Sequence, residues 1–230
     1  ESRPILTGIH MVIANNQLKA VATDSHRLSQ RIIPLEMPES SNALTFEITL
    51  PGKTLIELSR IIDGLETIDF AITENQVLFQ TETLSFYSRL LEGRYPDTDR
   101  LINDQFNTAI TVVASDLVAA VDRASLMSHT DKNNIATLSI NENRILLTGN
   151  SPEIGKVEEE IMVENYEGAS LDVSFNPDYL KDALRLFGSS EATIQFLEAN
   201  RPFTLTLKDN HSDIPYSFIQ LVTPVRTFNG

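Results

Sequence analysis

Ile48-Thr-Leu-Pro-Gly-Lys-Thr-Leu-Ile-Glu-Leu-Ser-Arg-Ile-Ile62 returns later in the chain, in the same register, as Val173-Ser-Phe-Asn-Pro-Asp-Tyr-Leu-Lys-Asp-Ala-Leu-Arg-Leu-Phe187. In both copies a short apolar run stops at a proline or asparagine. Apolar residues then recur at helical spacing, Leu55, Leu58, Ile61 and Ile62 against Leu180, Ala183, Leu184 and Phe187. Arg60 and Arg185 occupy the same helical position. Beyond the helix, Ile68 to Gln80 and Ala192 to Thr206 each alternate like half-buried strands about a turn, Glu74-Asn75 or Ala199-Asn200. An offset of about 125 residues is too long for a solenoid repeat and fits two tandem copies of one domain.

The correspondence extends upstream. Strands are expected at Ile9 to Ala14 and Leu18 to Ala22 around a turn at Asn15-Asn16, with a further strand reaching Ile33 beyond Thr23-Asp-Ser-His-Arg-Leu28. Ile135 to Ile140, the turn Asn141-Glu-Asn143, and Ile145 to Gly149 running into Asn150-Ser-Pro-Glu153 echo that pattern. Helices are expected over 51–63, 115–132 and 178–188, a strand over 84–91, and a polar connection at 38–42. The second unit opens with a strand, Ala109 to Val113, and a capped helix from Ser115-Asp116 to Met127 that carries Leu117, Val121 and Ala124 on one face. No counterpart of this strand and helix precedes the first copy. The sequence therefore reads as two units, 1–104 and 105–230, the first lacking its opening strand and helix, as in a fragment of a longer protein. The fold class expected is α+β.

At 230 residues, 41% of them hydrophobic and 22% charged, the chain is long enough for two packed cores. Cysteine is absent, which removes disulfides, thiolate metal sites and cysteine nucleophiles. No apolar run reaches the length of a membrane span and no signal-peptide pattern opens the chain, so it reads as cytoplasmic. The net charge of −14 opposes loose adhesion to nucleic acid, whose affinity comes largely from phosphate neutralisation by Lys and Arg. That charge is uneven: the three expected helices are nearly neutral, and the strands and loops carry the acid.

Catalytic motifs are weak. Asp24-Ser25-His26 offers the residue types of a hydrolase triad, but sequence neighbours cannot place a carboxylate behind the imidazole and a serine ahead of it. The four histidines, His10, His26, His129 and His211, lack ligand spacing, so no metal is expected. Pro51-Gly-Lys-Thr54 shares Gly-Lys-Thr with the phosphate-binding loop but lacks its upstream glycine, and reads as the first turn of an amphipathic helix. No cofactor is implied.

Thr-Asp-Ser-His-Arg-Leu (23–28), Gly-Arg-Tyr-Pro-Asp (93–97), Asn-Ser-Pro-Glu (150–153), Ser-Phe-Asn-Pro-Asp-Tyr-Leu (174–180) and Thr-Pro-Val-Arg (223–226) form an ordered set. In this order and spacing they closely resemble the bacterial DNA sliding clamps, the beta subunits of DNA polymerase III. The resemblance runs from partway through the middle domain to the end of the third. It implies antiparallel sheets outside, helices on an inner face, and a non-catalytic processivity factor whose full-length form closes as a homodimer ring around duplex DNA.

From the resemblance a peptide-binding pocket between the two domains is expected at Leu6, Thr23, Ser25, His26, Arg27, Leu28, Pro96, Arg100, Leu101, Leu221, Val222, Thr223, Pro224, Val225 and Arg226. It would receive short linear motifs of the DNA polymerase III alpha subunit, the clamp loader and repair polymerases on an apolar floor with a basic rim. Lys53, Arg60, Arg123, Lys181 and Arg185 are expected to face DNA, diluted by Glu57, Asp122 and Asp182. Leu126 and Met127 are expected at the subunit interface, exposed in a monomeric fragment. Ser25 stands where many members have glycine, narrowing the groove slightly. The loop His129 to Asn134 is polar where some members have an aromatic, giving a shallower subsite, and Phe228 to Gly230 extends past the usual end. Two rival readings remain, an acidic hydrolase or transferase using Asp24, His26 and Asp97, and a dimerisation module.

Overall fold

The computed structural model describes residues 3–35, 45–128, 134–142, 144–151, 153, 155–208 and 217–226. The connection 38–42, the loop 129–133, Asn143, Pro152, His211 and the end of the chain from Phe228 to Gly230 lie outside the described residues. Two compact units divide the molecule. The first takes the residues before Ser25, then Gln30–Asp97, together with Ser217; the second takes Ser25–Ser29, the described residues from Thr98 to Lys208, and those from Phe218 to Arg226. The expected boundary near Asp104 thus falls a few residues late. Thr98 is buried and opens a 3-10 turn, Asp99–Leu101, in the second unit.

The first unit contains β1 (Gly8–Ala14), β2 (Gln17–Thr23), most of β3 (Arg27–Pro34, whose first three residues fall in the second unit), β4 (Phe46–Pro51), α1 (Gly52–Ile61), β5 (Asp69–Ile72), β6 (Gln76–Gln80) and β7 (Ser85–Arg89). The second contains β8 (Thr108–Val113), α2 (Ala114–Ser128), β9 (Ala136–Asn141), β10 (Arg144–Ser151), β11 (Gly155–Glu160), β12 (Asn165–Gly168), β13 (Leu171–Phe175), α3 (Pro177–Arg185), β14 (Glu191–Phe196), β15 (Phe203–Leu207) and β16 (Ser217–Val222). Strand order reproduces the sequence repeat: β3-β2-β1-β4 in the first unit matches β11-β10-β9-β13 in the second, and β5-β6-β7 matches β14-β15-β16. β8 and β12 extend the second set beyond β14, and α2 is likewise without a counterpart among the described residues of the first unit.

Local chemistry explains the hairpins. Asn15 and Asn16 sit at φ 52° and 56°, the left-handed pair that a two-residue β-turn requires and that asparagine tolerates. The turn places His10 opposite Val21. The helices end earlier than the apolar periodicity implied, α1 at Ile61 and α3 at Arg185. β11 and β12 were not expected from the sequence. Glu158, Glu159 and Glu160 are poor strand formers, yet they suit a charged sheet edge, and β11 pairs with β10 on one side only.

The second unit has the larger core. Phe175, Phe196 and Phe203 are fully buried, with ring centroids 6.2 Å apart for Phe175–Phe203 and 5.1 Å for Phe196–Phe203. In the first unit Ile48, Leu50 and Val77 form the buried centre of one cluster, and Met11, Phe46, Leu55, Ile72, Phe79 and Leu90 pack against it half-covered. Among the described residues no helix is long and apolar enough to cross a membrane, and no group of carboxylates and histidines could hold a metal ion.

Gly149 fixes how closely α2 lies on β10, since an added Cβ would stand 2.2 Å from the Ala124 carbonyl oxygen. Gly149→Ala should therefore lower the stability of the second unit by about 1–3 kcal/mol, read as a lower urea midpoint with unchanged slope. In the first unit, the His10 ring stacks on Tyr95 at 4.6 Å, its Nδ1 lies 3.1 Å from Thr49 Oγ1, and its Nε2 lies 3.4 Å from Glu47. Burial holds the His10 pKa below its ordinary 6.5, with Glu47 opposing the shift and Lys19 adding to it. The folded state thus favours neutral His10, and below pH 6.5 the unfolded chain binds more protons than the folded one. Stability should fall as pH drops below 6.5 until the folded-state pKa is passed, and His10→Gln should flatten that part of the pH–stability curve.

Candidate functional site

Two backbone hydrogen bonds locate the site within the second unit. Thr223 N–H donates to the His26 carbonyl at 2.9 Å, and Val225 N–H donates to the Ser174 carbonyl at 2.7 Å. The tail after β16 is therefore tied to the 25–29 segment and to the end of β13. Gln220 reinforces the first tie, donating from Nε2 to Ser29 Oγ at 2.7 Å. Ser25 has φ +78°, which turns the chain sharply between β2 and β3 at a position that strains any residue with a Cβ.

His26 and Arg27, presented by that turn, meet α3. The His26 ring stacks on Tyr179 at 5.7 Å with an interplanar angle of 18°. Arg27 lies 4.8 Å above the same ring, and its Nη1 donates to Asp182 Oδ2 at 2.5 Å. α3 is held at its start by Asn176, whose side chain accepts from the Asp178 N–H at 2.9 Å, and Asn134 Nδ2 donates to Asp178 Oδ2 at 2.8 Å. Sequence reasoning missed Tyr179 and Asp182 as site residues. The signal lay in the repeat itself, where Tyr179 replaces the Thr54 of the first copy.

The expected members separate by burial. Leu28, Leu221 and Val222 are 2%, 3% and 0% exposed, and Pro224 is also buried, so this expected floor is core. Thr223 and Val225 are half-buried, while Ser25, His26, Arg100, Leu101 and Arg226 are exposed. Arg100 and Leu101 line an open depression of about 410 Å³ together with Gln195, Arg201, Pro202 and Thr204. Leu6, Thr23 and Pro96 belong to the first unit. Leu6 lies half-buried in a 3-10 turn (Pro4–Thr7), Thr23 N–H donates to Tyr95 Oη at 3.2 Å, and Pro96 is exposed. Burial raises the Tyr95 pKa, with the Thr23 hydrogen bond acting the other way.

The helical cations also divide. Lys181, expected to face DNA, has a side chain only 10% exposed, with Nζ 3.1 Å from both Asp122 and Asp178. Burial pulls its pKa down, but those two carboxylates outweigh it and hold the ammonium above its ordinary value. Lys181 therefore fastens α3 to α2 and is unsuited to phosphate contact. Arg123 forms a two-pronged pair with Glu159 of β11, whose carboxyl it holds below the usual range. Arg60 pairs with Glu57 at 2.9 Å, Arg185 lies 3.6 Å from Asp182 and 4.0 Å from Asp122, and Lys53 is exposed on α1. Near the end of α2, Leu126 is 66% exposed and Met127 half-buried.

Residues 99–220 match the C-terminal domain of the DNA polymerase III beta subunit, and residues 1–97 match the central domain of the same protein. A beta sliding clamp of Streptococcus pneumoniae is 46% identical over 229 residues, 99% of this chain and 58% of that protein. One of Bacillus subtilis is 41% identical over 230 residues, again 99% of this chain and 59% of the relative. Among solved structures, the beta subunit from DNA polymerase of Streptococcus pyogenes superposes with a TM-score of 0.92 at 46% identity, covering 99% of this chain and 60% of that one. The sliding clamp from Bacillus subtilis gives 0.90 at 41%, covering 99% and 58%. The chain spans just under three fifths of the length of these relatives, and over that span it belongs to the DNA polymerase III beta subunit family, the sliding clamps.

Proposed function

We propose that the protein acts as a DNA sliding clamp, a processivity factor that encircles duplex DNA and tethers the DNA polymerase III alpha subunit, the clamp loader and repair polymerases through short linear motifs. The observation that carries this reading is the tie between Thr223 and His26. It sets the 25–28 loop and the 223–226 tail side by side, combining half-buried Val225, exposed His26 and two guanidiniums, Arg27 and Arg226, on one unit. Apolar contacts anchor a peptide of this kind, and the polar rim orients its carbonyls. The role requires binding without bond making, and we assign no catalytic residue. The rival hydrolase or transferase using Asp24, His26 and Asp97 has no support, because the His26 ring is engaged by Tyr179 and the family is one of clamps.

A ring retains DNA by topology, so phosphate contacts can stay weak, which accommodates the net charge of −14. Lys53, Arg60, Arg123 and Arg185 are the proposed phosphate-steering groups, each tempered by carboxylates nearby or elsewhere on its helix. Leu126 and Met127 are the proposed contact to a second subunit in a closed dimer, and the cytoplasm is the proposed compartment.

Titration of a fluorescent peptide carrying a glutamine, two leucines and a phenylalanine tests the docking role. Leu101→Ala and Arg226→Ala should each weaken binding about tenfold, or about 1.4 kcal/mol, with unchanged melting because both side chains are exposed. Leu28→Ala should instead lower stability by about 2–5 kcal/mol, as its burial requires. Absence of saturable binding up to roughly tens of micromolar, the weak-complex range, would contradict the reading.

A further inference from the structure

Asp182 already occupies the guanidinium that the docking site offers to a ligand. Arg27 Nη1 lies 2.5 Å from Asp182 Oδ2, and the two side chains are 36% and 51% exposed, so water and ligands reach the pair. Two further contacts make the pair exchangeable. Arg27 also lies 4.8 Å above Tyr179, which keeps the guanidinium in position when the carboxylate leaves. Asp182 has a second cation, Arg185, one helical turn along at 3.6 Å. Arg185 can shift fully to Asp182 because Asp122, its other partner at 4.0 Å, is held more closely by Lys181 at 3.1 Å. Releasing Arg27 therefore leaves no carboxylate unpaired, which keeps the cost of the exchange to that of an exposed ion pair.

We propose that Asp182 is a stand-in for a ligand carboxylate and sets specificity at this site. A docked peptide with an acidic side chain within reach of Arg27 displaces Asp182, which passes to Arg185. A peptide with a neutral residue there leaves the internal pair closed. The inference rests on the peptide-docking reading and adds the ligand class that this part of the site selects, an acidic residue within a short apolar motif. Asp182 is a positioning residue, acting through Arg27.

The experiment compares two peptide series on the full chain. Each carries the glutamine, two leucines and phenylalanine, with a single aspartate moved through the remaining positions in one series and asparagine in the other. At one position wild type should prefer Asp to Asn, and Asp182→Asn should tighten that Asp peptide about three- to fivefold, the range of an exposed ion pair. The matched Asn peptide should change less than about twofold. Arg27→Ala should abolish the preference, and added salt should shrink the gain as the charges are screened. Asp182→Asn that weakens both series alike, or alters neither, overturns the proposal and leaves Asp182 as a prop for Arg27. Failure of every peptide to bind wild type overturns the docking reading, and this inference falls with it. Wild-type binding without discrimination by Asp182→Asn overturns the inference alone.

Discussion

The hydrogen bond from Thr223 N–H to the His26 carbonyl determines which residues of this chain share a surface. A backbone pair of this kind contributes about 1 kcal/mol when made and costs more when one partner is left buried and unpaired. It is supported from below by Leu28, Leu221 and Val222, whose burial joins the 25–29 segment to the second unit although most of its neighbours in sequence belong to the first. The core side chains of these two segments thus work as anchors. The alternate and flanking residues, His26, Arg27, Thr223, Val225 and Arg226, are left outside the core. Gln220 and Ser29 add a side-chain tie at the same join.

Comparison of the two copies shows how a site can arise from a repeated helix. In α1, Arg60 pairs with Glu57 three residues before it, an ordinary exposed helical pair. In α3 the same two positions hold Arg185 and Asp182, at 3.6 Å. The change is that Asp182 acquires Arg27 as a second partner, and Tyr179, in place of Thr54, supplies the ring on which His26 and Arg27 rest. The α3 face thus differs from that of α1 both in the residues at these positions and in the 25–29 segment that packs on it. Lys181 has diverged in another direction, turned into α2 by Asp122 and Asp178.

Much of the fold is legible in the sequence because the repeat supplies two independent readings of each element. The strand–helix stretch at 48–62 and 173–187 and the Asn15-Asn16 turn follow from residue chemistry alone, and strand order in the two units agrees with the duplication. β11 and β12 escaped because their pattern is acidic and their place at a sheet edge depends on partners distant in sequence. The candidate site is marked in the sequence as a set of motifs. Its division into core and surface is not, since Leu28 and Leu221 look the same in sequence as the exposed Leu101. Nor could spacing reveal that Lys181 faces α2 or that Asp182 meets Arg27, contacts that join residues far apart in the chain.

Amide hydrogen exchange at Thr223 tests the central claim, that the 25–29 segment is held by the second unit through this backbone bond. The Thr223 N–H should exchange with the same free energy as the protected amides of β15 and β16, through unfolding of the second unit. Exchange as fast as that of an exposed loop, or in step with the β1–β2 hairpin of the first unit, would contradict it.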